Sequence, residues 1–102
     1  MSEAKQLVVV VGEFEVDVKS MTRSQILELN ARRKTMQKEK DNDDAVQAVQ
    51  DYMEWVLKDL YPQIVTNFDE LPNRELMVLA SVTEQYSAAV PIEVIEALVK
   101  NA

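Results

Sequence analysis

The first patterned stretch of the chain, LVVVVGEFEVDV at residues 7–18, sets two β-type runs on either side of Gly12-Glu13. Glycine as the first residue of a two-residue loop favours a type II′ turn, so the pattern predicts a β-hairpin. In that register Val11 faces Phe14, Val9 faces Val16 and Leu7 faces Val18. Strand side chains alternate, so these six share one face. Val8 and Val10 fall on the other, opposite Asp17 and Glu15. An isolated hairpin is marginal in water, and the six-residue face has to pack on helices. Val8 and Val10 are then a surplus, placed either under another segment or at a subunit contact. An open edge strand is itself a route to pairing with another chain.

Helical spacing takes over after the hairpin. Thr22 followed by Gln25 is a capping-box pattern, with Ile26, Leu29 and Met36 marking the core side of a first helix. From Arg32 to Lys40 only Thr35 and Met36 interrupt charged and amide residues, so that end should project into solvent. After the DNDD run, Val46, Val49, Met53, Val56, Leu57 and Leu60 fall on one arc of a second helix. Trp55 lies roughly opposite that arc, one turn from both Asp51 and Asp59. It either packs under a neighbouring segment such as QIVTNF or serves as a partner hot spot, a role in which Trp is enriched. Pro62 stops the second helix.

The connector QIVTNFDEL offers Ile64, Val65, Phe68 and Leu71 as anchors. Pro72 suits the first turn of a third helix and Glu75 its positive end. In RELMVLASVTEQYS, Leu76, Val78, Leu79, Ala80, Val82 and Tyr86 cover an arc of roughly 200°, wider than an ordinary amphipathic stripe. Such a helix is central and packs on two sides, or on one neighbour and one partner. Burial is expected for Leu76, Leu79 and Tyr86. Met77, outside the arc, and Val78 are expected to meet partners. A last helix from Pro91 sets Ile92, Val94, Ile95, Leu98 and Val99 on one face, laid on the core.

The expected fold is mainly α (α+β): an N-terminal hairpin packed on about four helices, in one small domain over residues 1–102. Composition sits well with this, since 47% hydrophobic and 28% charged residues describe a globular chain. Charge changes the picture more. Residues 1–40 carry 8 basic and 6 acidic side chains, whereas residues 41–102 carry 3 and 12. So acidic a chain is a poor nucleic-acid binder, because phosphate contacts need Lys and Arg. The basic run ARRKTMQKEK reads as a helix end complementing its dipole, with DNDD capping the next helix.

Candidate chemistry is sparse. The sequence has no His and no Cys, so the commonest general base and the usual zinc ligands are missing. A single Gly excludes glycine-rich phosphate loops, and no cofactor motif is present. A calcium loop starting at Asp41 would need Gly and Glu where the chain has Val46 and Tyr52. No catalytic, cofactor-binding or metal-binding residue is expected. No apolar run is long enough to span a bilayer, and MSEAKQ lacks the features of a signal peptide, so a cytosolic protein is the default.

The order of elements resembles a known family. A strand-forming start with a Gly turn leads into a capped helix. The Trp-bearing VQDYMEWVLKDLYPQIV follows, and then FDELPNRELMVLASVTEQYS, an acidic, proline-containing lead-in to an apolar helix. This order, over roughly residues 7–90, resembles the small tail assembly chaperones of long-tailed (siphovirus-type) bacteriophages. The resemblance implies a chaperone that binds the tape measure protein and keeps it soluble while tail tube protein polymerises around it. It implies action in the host cytoplasm, absence from the mature virion, and either the shorter of two frameshift-related forms or an N-terminal part. It carries no catalytic residues. Self-association into a homo-oligomer is expected from the hairpin's second apolar face.

Candidate partner-binding residues are therefore Val8, Val10, Trp55, Met77 and Val78. Two alternatives stand beside the chaperone reading. An acidic inhibitor could mimic nucleic acid with the carboxylates of residues 41–70; its binding should weaken steeply with salt. A structural oligomeric phage protein would persist in purified particles.

Overall fold

The computed structural model describes residues 6–39 and 41–100. The first five residues of MSEAKQ, read above for a leader, and Lys40 of the basic run lie outside them. The fold is mainly α with one antiparallel hairpin. In chain order the elements are β1 (Val8–Val11), β2 (Phe14–Asp17), α1 (Arg23–Lys38), α2 (Asp43–Leu60), short 3-10 turns at Pro62–Ile64 and Phe68–Glu70, α3 (Asn73–Ser87) and α4 (Ile92–Lys100). The described residues group into two compact units. One joins the chain up to Ser20 with the chain from Gln63 onward; the other is Met21–Pro62.

In the first unit the hairpin takes the expected register, with Val8 across from Asp17, Val9 from Val16, Val10 from Glu15 and Val11 from Phe14. The Val18 amide donates to the Leu7 carbonyl at 2.9 Å and closes the open end. Gly12 has a φ of 60°, and Glu13 is not among the positive-φ residues. That sign pattern belongs to a type II′ turn rather than I′. The inward residues Leu7, Val9, Val11 and Val16 are buried, and Phe14 and Val18 half-buried. The Gly12 N–H donates to Glu75 Oε1 in the first turn of α3 at 2.6 Å. A Cβ at Gly12 would sit 2.8 Å from Leu71 Cδ2. Left-handed backbone and close approach together explain the chain's single glycine here.

Helix α3 packs against both β1 and α4, which accounts for its wide apolar arc. Leu76, Leu79, Ala80, Val82 and Thr83 are buried. Thr83 was not anticipated; its hydroxyl is satisfied, since no buried side-chain N or O among the described residues lacks a hydrogen-bond partner. Tyr86 departs from expectation and is only half-buried. Pro72 occupies the cap position before Asn73 rather than the first turn. At the other end, Ala89 N–H donates to the Tyr86 carbonyl at 3.1 Å and Val90 N–H to that of Gln85 at 3.0 Å. Those two bonds, with Ala89 at a φ of 62°, make a Schellman cap without the usual glycine.

Helix α4 corrects another expectation. Pro91 precedes it, and of the face read as core only Ile95 is fully buried. Ile92 and Val99 are half-buried, while Val94 and Leu98, one turn apart, are exposed. Helix α4 packs on α3 through the edge that carries Ile95, and its outer apolar positions stay exposed.

In the second unit α1 and α2 pack together. Gln25 bonds to Asp59 and Arg32 to Ala48, so the two helices run antiparallel. Thr22 caps α1 with both capping-box bonds in place. Gln25 does more than cap. Its Oε1 accepts from the Thr22 N–H at 2.9 Å, and its Nε2 donates to Asp59 Oδ2 at 3.0 Å. A Glu there would serve the box equally well but would face the Asp59 carboxylate with a like charge. Asn42 caps α2 by accepting from the Asp44 N–H, with Asp43 and Asp44 in the first turn. The DNDD run thus works as a helix start.

Two stability measurements test this architecture. Leu79 is fully buried; Leu79→Ala is expected to cost about 2–5 kcal/mol in chemical denaturation. Ala89→Gly is expected to stabilise by about 1 kcal/mol, because an L-residue in the left-handed region is strained.

Candidate functional site

The five residues singled out from sequence occupy three places. Val8 and Val10 stand on the outer face of β1, alternating with the buried valines, and Val10 is 58% exposed. Their cross-strand neighbours are Asp17 and Glu15, so this face is an apolar strip beside a carboxylate strip. On α3, Met77 is 54% exposed, as expected, and Val78 half-buried. One residue's rotation separates them on the helix, so Met77 is the more accessible of the pair. Trp55 belongs to the α1–α2 unit. It is 54% exposed, which agrees with the hot-spot alternative rather than with cover by a neighbouring segment.

Trp55 is not an isolated ring. Tyr52, one turn earlier, stacks with it at a centroid distance of 5.7 Å and an interplanar angle of 21°. The Arg32 guanidinium of α1 lies over Tyr52, 4.7 Å from its centroid. Arg32 is itself held in place: its NH1 donates to the Ala48 carbonyl at 3.1 Å, and its Nε lies 3.5 Å from Glu28 Oε2. Ser24, Glu28, Arg32, Asp51, Tyr52 and Trp55 line an open groove of about 530 Å³. Partial burial raises the Tyr52 phenol pKa above its ordinary value. The Glu28 charge raises it further, Arg32 opposes this, and Asp59 adds to it.

Sequence reasoning singled out Trp55 without Tyr52 or Arg32. The three-residue spacing of Tyr52 and Trp55 places both on one helix face and was a readable signal. Arg32 carried none, because its place over Tyr52 depends on how α1 meets α2. Val94 and Leu98 were also passed over, having been assigned to the core. A second open pocket, lined by Lys38, Glu39, Asp41, Asn42, Asp43 and Asp44, coincides with the α1–α2 turn. Its Asn42 is engaged in capping and in a bond to Glu39. Among the described residues no three His, Cys, Asp or Glu side chains are arranged to hold a metal ion, and no helix is long and apolar enough to cross a membrane.

No protein family, curated protein or solved structure matches the chain. Its surfaces offer apolar contact on the hairpin, α3 and α4, and an aromatic groove with charged margins on α1–α2.

The electrostatics of the groove can be read directly. In a titration followed by NMR of labelled tyrosines, Tyr52 is expected to ionise above its ordinary pKa. Glu28→Gln should lower that pKa, because the substitution removes a negative charge that opposes phenolate formation.

Proposed function

We propose that this chain is a non-catalytic assembly chaperone that holds an apolar, helical client protein in solution. The observation that carries the reading is the set of large apolar side chains exposed on ordered elements: Val8 and Val10 on β1, Met77 on α3, and Val94 and Leu98 on α4. Isolated exposed apolar residues are commonplace, but Val8 and Val10 share one strand face and Val94 and Leu98 one helix face, and apolar residues exposed together mark contact surfaces. Met77 suits a client of variable shape, since methionine is flexible and polarizable. The net charge of −7 favours keeping a loaded complex soluble.

The resemblance to phage tail assembly chaperones supplies the specific client. In this proposal it is the tape measure protein, kept soluble while tail tube protein assembles around it. The chaperone acts in the host cytoplasm, self-associates, and is left out of the finished virion. A tape measure gene immediately downstream of the coding sequence would agree with it.

Met77→Asp tests the reading. The variant should fold with a stability within about 0.5 kcal/mol of the parent, as exposed substitutions usually do. Co-expressed with helical segments of the tape measure protein, the parent chain should keep them in the soluble fraction and the variant should not, because a charge would enter an apolar contact. Equal solubilisation by both proteins would remove α3 from the contact surface. Failure of the parent itself would sink the chaperone reading.

A further inference from the structure

The aromatic stack in the α1–α2 groove has two ends, and among the described residues a cation lies over the inner one. At the inner end the Tyr52 ring carries the Arg32 guanidinium, 4.7 Å from its centroid. At the outer end Trp55 continues the stack and remains 54% exposed. An indole has the strongest cation-binding face among the aromatic side chains. The charges around it favour the same kind of guest. Asp51 and Asp59 stand one turn before and one turn after Trp55 on α2, and Glu28 lines the groove from α1. Asp51 is exposed and accepts a hydrogen bond from the Gln47 side-chain amide at 2.8 Å. Arg32, the cation in the groove, is engaged by Tyr52, Ala48 and Glu28 together. Lys58, three residues after Trp55 on α2, pairs with Glu54 at 3.7 Å.

We propose that this groove is a docking site for an arginine side chain presented by a basic segment of a partner protein. The guanidinium lies on the open face of Trp55, with the Asp51 carboxylate as its ion-pair partner. The Arg32–Tyr52 pair is the same contact made within the chain, one ring away. Arginine is preferred to lysine because its planar cation stacks flat on an aromatic face and keeps its edge donors for a carboxylate. An anionic partner is disfavoured, since Glu28, Asp51 and Asp59 outnumber the single guanidinium. The site differs in kind from the apolar surfaces of the chaperone reading. It stands on the groove alone, so it survives whatever client those surfaces hold.

Trp55 is the only tryptophan in the sequence, which makes its fluorescence a direct reporter of the groove. The full chain is titrated with a short alanine-based helical peptide carrying arginines one turn apart, and with controls in which every arginine is lysine or glutamine. The arginine peptide should change Trp55 emission saturably, the lysine peptide should bind more weakly, and the glutamine peptide should give no response. Asp51→Asn should weaken arginine-peptide binding about fivefold, the upper range for an exposed ion pair. Trp55→Ala, followed by calorimetry and checked for folding by circular dichroism, should weaken it about tenfold. Added salt should reduce the affinity. Equal binding of the glutamine peptide would overturn the proposal and make the groove a plain apolar contact. It is overturned equally by no response to the arginine peptide, by binding that leaves Trp55 emission unchanged, or by unaltered affinity in Asp51→Asn. Stronger quenching by an oligothymidylate than by the arginine peptide would reassign the groove to nucleic acid. None of these outcomes depends on the tape measure protein.

Discussion

Two four-residue strands do not hold together in water by their own hydrogen bonds, and the first unit is organised around that constraint. The alternate residues Leu7, Val9, Val11 and Val16 have to be covered, and α3 packs on β1. The tip of the hairpin is held too, by the Gly12 amide on the Glu75 carboxylate. A carboxylate in the first turn of a helix is already favoured by the helix dipole, so Glu75 suits the start of α3 while it holds the hairpin tip. Since α3 also supports α4, its wide apolar arc follows from having two neighbours. What the arrangement leaves outside follows as well. Burying one hairpin face sends Val8 and Val10 to the other, and placing Leu76 and Leu79 inward turns Met77 outward.

The α1–α2 unit works on a different balance. Helix α1 buries only Leu29 among its apolar residues, with Ile26 and Met36 half-buried. Polar links supplement this modest apolar seam. Gln25 joins the α1 cap to Asp59, and Arg32 reaches the Ala48 carbonyl. Bonds to partly buried partners hold geometry as well as contributing about 1 kcal/mol each. That geometry places Arg32 over Tyr52 and leaves Trp55 at the open end of the stack. The groove is a by-product of how this helix pair is cross-linked.

Its two kinds of exposed surface suit two kinds of contact. Valines, Met77 and Leu98 offer area with little directional demand, and binding to them changes little with salt. Trp55 with Asp51 offers a directional contact that selects charge and weakens with salt. In the proposed chaperone role both would be useful, because a salt-sensitive contact tunes affinity without enlarging the apolar surface.

Local chemistry was legible in the sequence wherever a residue's role depends on near neighbours. The II′ turn at Gly12, the hairpin register, the Thr22–Gln25 capping box and the start of α2 at DNDD all rest on interactions within a few residues, and each appears as expected. So do Met53, Val56 and Leu57 of α2 and most of the buried positions of α3, because helical periodicity assigns them, although Val46, Val49 and Leu60 are only half-buried and the buried Ala45 was not singled out. Roles that depend on distant segments were not legible. Periodicity ranks the faces of α4 but does not say how far α3 reaches across it, so Val94 and Leu98 were read as core and lie exposed. The half-burial of Tyr86, the exposure of Trp55 and the position of Arg32 over Tyr52 have the same origin. Each is set by which side chains a second element brings alongside, and a sequence pattern records only the helix it belongs to. Only the tertiary structure decides between an apolar residue that is covered and one left available to a partner.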